Sequence, residues 1–134
     1  MTVIPDLKTL YEIDALDLDN LIEELEDLGN EKKFRVASLL EQIIRHCLLL
    51  QFWTVKRKYN RSHWRSEIVN FKNQIDTYLT TNLRNYLTKE LPRIYQKALN
   101  YVREKTDNQV SFLGQCPYSL ENLLDLDWFP PENE

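Results

Sequence analysis

The stretch from residue 31 to 56 constrains this chain more than any other. In its first half, Val36, Ala37, Leu40, Ile43, Ile44, Cys47 and Leu48 recur at the spacing of one helix face. From Cys47 the wording is Cys-Leu-Leu-Leu-Gln-Phe-Trp, apolar nearly all round. A helix sheds its polar face only where other elements surround it, so this one is predicted to be the central, buried helix of a bundle.

The rest of the chain supplies its neighbours. Leu18, Leu21, Ile22, Leu25 and Leu28 form an amphipathic stripe that Asp17 or Asp19 can cap. Gly29 reads as the C-terminal stop, with Asn30 capping the central helix. A polar link is expected at 57–61, then a helix capped by Ser62 that carries Ile68, Phe71, Ile75, Tyr78 and Leu79. Thr80-Thr81-Asn82 breaks it. A further helix runs from Leu83 to about Lys105, with a kink or break near Leu91 because Pro92 lies inside it. Ser119 caps a short helix from Leu120 to Asp125, which Pro130-Pro131 cannot prolong. No segment alternates with the period of a strand. The expected fold is all-α: a compact bundle of four to five helices, one domain over 1–134, with 130–134 a flexible tail.

Composition removes several function classes. At 134 residues and 43% apolar content, one core can close. The longest nearly apolar run, Cys47 to Val55, is far below the roughly 20 residues of a membrane span, and residues 1–6 lack the basic start of a signal peptide. A soluble protein without a membrane partner follows. Cys47 lies in the apolar run and reads as a core residue, which favours a reducing cytoplasm; a single Cys47–Cys116 bridge is the alternative. Nothing in the pattern fixes an oligomeric state.

Metal and cofactor chemistry finds little support. Glu23, Glu24, Glu26 and Asp27 could hold a hard cation, but they flank or oppose the leucine stripe and read as a solvated face. A di-iron bundle needs Glu-x-x-His pairs on two helices, and a three-histidine zinc site needs more than His46 and His63. No metal site is expected. Phosphate cradles and nucleophile elbows are absent, so no cofactor is expected either. His46, on the edge of the apolar stripe, reads as a buried, hydrogen-bonded polar residue.

Charge is strongly segregated. Residues 1–31 hold ten acids and one lysine, residues 32–116 sixteen bases and six acids, and residues 117–134 five acids and no base. Opposed blocks attract each other or recruit partners; the simpler expectation is that the acidic ends fold over the basic middle. Within that middle, residues 53–65 carry five bases and three aromatics, with no acid between Glu41 and Glu67. Trp53, Arg57, Arg61, His63, Trp64 and Arg65 are the candidate binding residues, since cations neutralise phosphates and rings stack on bases. The competing account is that Trp53 and Trp64 staple an interhelical turn while the bases pair with the acidic ends.

Four stretches carry a resemblance. They are Ala15-Leu-Asp-Leu-Asp-Asn-Leu-Ile-Glu-Glu-Leu-Glu-Asp-Leu-Gly29, Leu48 to Trp53 after His46, Arg61-Ser-His-Trp-Arg65, and Cys116-Pro-Tyr-Ser-Leu-Glu-Asn-Leu-Leu124. Together, over about 11–130, they resemble a bacterial family catalogued as domain of unknown function 29. The resemblance implies a small all-helical protein and supplies no catalytic residue. Members of that family open with a longer N-terminal helix, whereas only Leu7 to Asp14 precedes the signature here, which would leave part of the bundle open for a partner. Separately, the spacing of Arg57 and His63 resembles the Arg-x(4–6)-His motif of a helical ribonuclease superfamily, implying that both would act on a scissile phosphate. In the unknown-function family a serine often stands at the position of His63, which runs against that role. The expected function is a non-enzymatic interaction module with a protein partner, whether regulator, antitoxin-like neutraliser or assembly factor. The alternative is a nucleic-acid-binding or RNA-cleaving protein using 53–65.

Overall fold

The computed structural model describes residues 15–134; Leu7 to Asp14 and the charge of the first residues lie outside the described part. Three long helices, α1 (Ala15–Phe52), α2 (Thr54–Tyr78) and α3 (Thr81–Lys105), precede a short one, α4 (Leu120–Leu124). There is no strand among the described residues. The chain divides into two units, Met1–Lys32 and Lys33–Glu134.

In the first unit, the N-terminal part of α1 presents its apolar stripe to solvent: Leu18, Leu21, Ile22, Leu25 and Leu28 are 44–62% exposed. Gly29 does not stop the helix. It lies inside α1 and has no positive φ. A helical glycine costs only about 1 kcal/mol relative to alanine, too little to end a helix that the flanking residues favour.

The second unit holds the core. Among the described residues, 36–50 of α1 contribute nine of the twenty-one buried apolar side chains, more than any other segment. Leu48, Leu49 and Leu50 are all buried although they point in three directions. The all-round apolar run therefore lies at the centre, as its composition predicts. α3 lays Leu83, Leu87, Ile94, Tyr95, Ala98, Leu99 and Val102 against the core, and α2 lays Trp64, Ile68 and Ile75.

The helix boundaries differ from expectation in instructive ways. No link exists at 57–61 and Ser62 is not a cap: both lie inside α2. The break is the single residue Trp53, with φ −87° and ψ 69°. Its N–H still donates to the Leu49 carbonyl at 3.0 Å, while Arg57 donates to the carbonyls of Leu50 (3.0 Å) and Gln51 (3.1 Å). Carbonyls at the end of a helix need such donors. A side chain four residues beyond the break supplies them, so a one-residue joint suffices. Between α2 and α3, Leu79 is extended and Thr80 caps α3 by accepting from Leu83 N–H at 3.2 Å. α3 runs through Pro92 without a break. Pro92 and Thr88 are both exposed, so the Thr88 carbonyl that loses its usual donor can be hydrated.

After α3 the chain reverses through Asp107 and Asn108, at φ 52° and 56°. Asp and Asn are among the few residues that tolerate this left-handed region. Ser119 caps α4 as expected, accepting from Asn122 N–H at 3.1 Å. Within residues 130–134, expected as a flexible tail, Pro130, Glu132 and Asn133 make contacts. Pro130 is buried, the Asn133 N–H donates to the Gln51 carbonyl at 3.1 Å, and the Gln51 side chain donates to Asn133 Oδ1 at 3.3 Å. The Tyr118 hydroxyl donates to Gln51 Oε1 at 2.7 Å. Gln51, the one polar residue in the apolar run 47–53, is there to tie the C-terminal segment down.

Candidate functional site

Because 54–65 lies within one helix, its side chains separate by face. Arg57, Arg61 and Arg65 follow at i, i+4 and i+8, Arg57 in line with the buried Trp64 and Ile68 and Arg61 and Arg65 to one side of them; Asn60 and His63 fall on the other. The two sides meet different surroundings.

The arginine side is engaged by the C-terminal segment. Arg57 adds to its capping bonds a donation to the Asn133 carbonyl and a contact of 3.6 Å with Glu132. Arg61 Nε donates to Glu132 Oε1 at 2.7 Å, which raises the Arg61 pKa. The same hydrogen bond, with the Arg61, Arg57 and Arg65 charges, holds the Glu132 carboxyl below its usual range. The Arg65 guanidinium lies 3.6 Å over the Phe129 ring, a cation–π arrangement. Of the five acids of the C-terminal end, Glu132 makes the expected pairing with the basic middle.

The other side opens into a pocket of about 340 Å³. α1 contributes His46 and Leu49, the joint contributes Trp53, α2 contributes Asn60, His63 and Trp64, and α3 contributes Tyr101 and Lys105. The Trp53 and Trp64 rings stack with centroids 6.0 Å apart at 15°, which also staples the joint. Trp64 is buried and Trp53 half-buried. His46 Nδ1 donates to the Gln42 carbonyl at 2.7 Å, and its ring tilts against Phe71 at 5.5 Å. Burial lowers the His46 pKa below 6.5; the Gln42 bond and the Glu67 charge oppose this, while His63 and Arg45 add to it. The Arg45 guanidinium sits 3.8 Å over the Tyr101 ring and pairs with Glu41.

The structure thus brings Trp53, His63, Trp64 and His46 together and sends Arg57, Arg61 and Arg65 elsewhere. The Arg57–His63 pair, read as a nuclease-like couple, is not assembled: Arg57 caps α1 and His63 lines the pocket. Sequence reading missed Asn60, Tyr101 and Lys105. The i, i+4 spacing of Tyr101 and Lys105 marks a shared face, but nothing local says which helix that face meets.

It missed Lys72 as well. This lysine is fully buried. Its Nζ donates to the carbonyls of Asp125 and Trp128, both at 2.5 Å, and to that of Asn122 at 3.4 Å. The Trp128 and Phe129 rings lie 5.3 and 5.6 Å from it. Burial lowers its pKa, against the opposing influence of Cys47, Asp125 and Asp127. It closes off the end of α4 and anchors the segment that engages the arginines. The signal was its place in the apolar stripe, four residues after Ile68 and three before Ile75.

A second pocket, of about 370 Å³, lies between α3 and the 115–118 segment, lined by Leu91, Pro92, Tyr95, Gln96, Gln115, Cys116 and Tyr118. Cys47 and Cys116 are free thiols, so the alternative of a bridge does not hold. Burial pushes the Cys47 thiol up to about 12 and raises that of Cys116. Nucleophilic thiols are depressed rather than raised. Among the described residues no group of three or more His, Cys, Asp or Glu could hold a metal ion, and no helix is long and apolar enough to cross a membrane.

Fold and site together define a small all-helical protein whose basic, aromatic helix is bound on one face by its own C-terminal segment and lines a pocket with the other. The chain belongs to the family described as Domain of unknown function DUF29, whose model matches residues 4–129. No curated protein and no solved structure matches it.

Proposed function

We propose that the chain is a non-enzymatic helical interaction module, a regulator, antitoxin-like neutraliser or assembly factor that docks a protein partner through residues 18–28 of α1. The observation that carries this reading is the exposure, by 44–62%, of five apolar side chains at helical spacing. A continuous stripe of that kind, edged by charged residues, fits an apolar groove on a partner. Its flanks are acidic: residues 1–31 carry ten acids against one lysine. A second copy docking stripe to stripe would meet like charge, and an anionic lipid or nucleic-acid surface would repel it. The occupant is therefore a protein groove rimmed by lysine and arginine. Nucleic acid gains less from 53–65 than composition suggests, because Arg57, Arg61 and Arg65 already have partners.

The test uses the full chain and the variant Leu21→Asp with Leu25→Asp as baits in host lysate, with circular dichroism confirming that both are helical. A basic protein retained by the wild type, lost from the variant and released by salt is the expected result. Identical retention by both baits overturns the reading. So does concentration-dependent dimerisation of the wild type that the variant abolishes.

A further inference from the structure

We propose that the pocket lined by His46, Trp53, His63, Trp64, Tyr101 and Lys105 binds a small ring-bearing anion, an aromatic ring carrying a phosphate or carboxylate. This site is separate from segment 18–28 and does not rest on the docking reading. The volume of about 340 Å³ falls at the lower end of the roughly 300–1,000 Å³ of small-molecule sites, which suits a small ligand.

The lining decides the chemistry. One wall is aromatic: Trp64 is fixed in the core and Trp53 stacks on it, so the half-buried Trp53 ring is preorganised for apolar and stacking contact. Both rings are held before any ligand arrives, which lowers the ordering cost of binding. The polar groups around that wall are two histidines, Asn60, Tyr101 and one cation, Lys105. Lys105 is exposed at the rim, 6.0 Å from the Tyr101 ring, and His63 is exposed at the mouth. His46 has its Nδ1–H committed to the Gln42 carbonyl and burial favours its neutral form, so its Nε2 is an acceptor that can take a hydroxyl or N–H of the ligand rather than its anionic group. No carboxylate lines the pocket among the described residues. A cation would find no counter-ion there and would meet Lys105 at the rim, and a neutral ring would draw nothing from that charge. The arginines that could extend the site along a polymer are engaged by Glu132, Asn133 and Phe129. A single ring with a single anionic group fits what remains.

The test is titration of the full chain with AMP, UMP and indole-3-acetate, read by calorimetry and tryptophan fluorescence. Adenosine and ribose 5-phosphate are the controls lacking charge or ring. At least one ring-bearing anion is expected to saturate below about 1 mM, with both controls at least tenfold weaker. Binding by nucleotides alone assigns the phosphate source, and binding by indole-3-acetate alone assigns the carboxylate; either supports the site. Lys105→Ala, on an exposed position, should weaken binding about five- to tenfold. Lys97→Ala, exposed on the same helix, should leave it unchanged. Absence of saturation by all three probes, adenosine matching AMP, or Lys105→Ala matching the wild type overturns the proposal.

Discussion

Replacing Lys72 with methionine tests how the C-terminal segment is held. Methionine keeps most of the volume and removes the ammonium, so the effect comes from hydrogen bonds rather than from a cavity. Three carbonyls lose a donor, but not equally. Asn122 O still accepts from Asp125 N–H at 3.2 Å, and Asp125 O from Trp128 N–H at 3.3 Å. The Trp128 carbonyl, 2.5 Å from Nζ, is the one left without its donor. A buried acceptor without a donor costs about 1–3 kcal/mol, and hydrogen bonds from a charged donor contribute about 1.5–3 kcal/mol. Relief of the ammonium's own desolvation offsets part of that. The net expected loss is about 2–4 kcal/mol. Urea unfolding at neutral pH should show a lower midpoint with an unchanged slope, and the Trp128 environment should change before global unfolding. A loss under about 1 kcal/mol, or a gain, would refute the claim that these three bonds anchor the segment.

Gly29→Ala should stabilise the chain by up to about 1 kcal/mol, since Gly29 is helical and an added Cβ meets nothing within 4 Å; destabilisation would restore the left-handed cap that sequence suggests. Leu40→Ala and Ile44→Ala, both at fully buried positions, should each cost about 2–5 kcal/mol in denaturant titrations. For His46 the folded pKa lies below the 6.5 of the unfolded chain, so the unfolded state binds more protons between the two values and stability rises with pH there. Its contribution is whole above 6.5 and is lost as pH falls below it; His46→Gln should flatten that stretch of the stability profile. Glu132→Ala releases Arg61, and a weak, salt-sensitive affinity for RNA or DNA should appear in a low-salt titration; no change relative to the wild type would mean the pair shields nothing.

The central helix was legible because burial writes its own period. Nothing but burial on all sides accounts for Leu48, Leu49 and Leu50 in succession, and the six stripe positions before them share one face. Thr80 and Ser119 show the limits of local reading. Ser119 caps where expected, whereas the break read at 80–82 falls at Leu79, with Thr80 serving as a cap. The polar run 57–61 read as a link because three charges and an asparagine around a single Tyr59 show no apolar stripe. Lysine and arginine are nevertheless good helix formers, and what sets the joint at Trp53 is distant from it in sequence or spread across it. Arg57 reaches back to Leu50 and Gln51, and Asn133 arrives from the other end of the chain.

The same cause explains why the candidate residues were half right. Composition over 53–65 reports how many cations and rings are present, and helix phase decides which of them share a side. Once the segment is a helix, a spacing of four keeps Arg57, Arg61 and Arg65 together, and a spacing of three puts Asn60 beside His63. The first set meets a segment containing a carboxylate, a carbonyl and an aromatic ring; the second meets Tyr101 and Lys105 of α3. Five bases in thirteen residues therefore do not add up to one anionic surface. Three of them are engaged within the protein. The cation at the pocket comes from Lys105, forty positions after the segment that first drew attention.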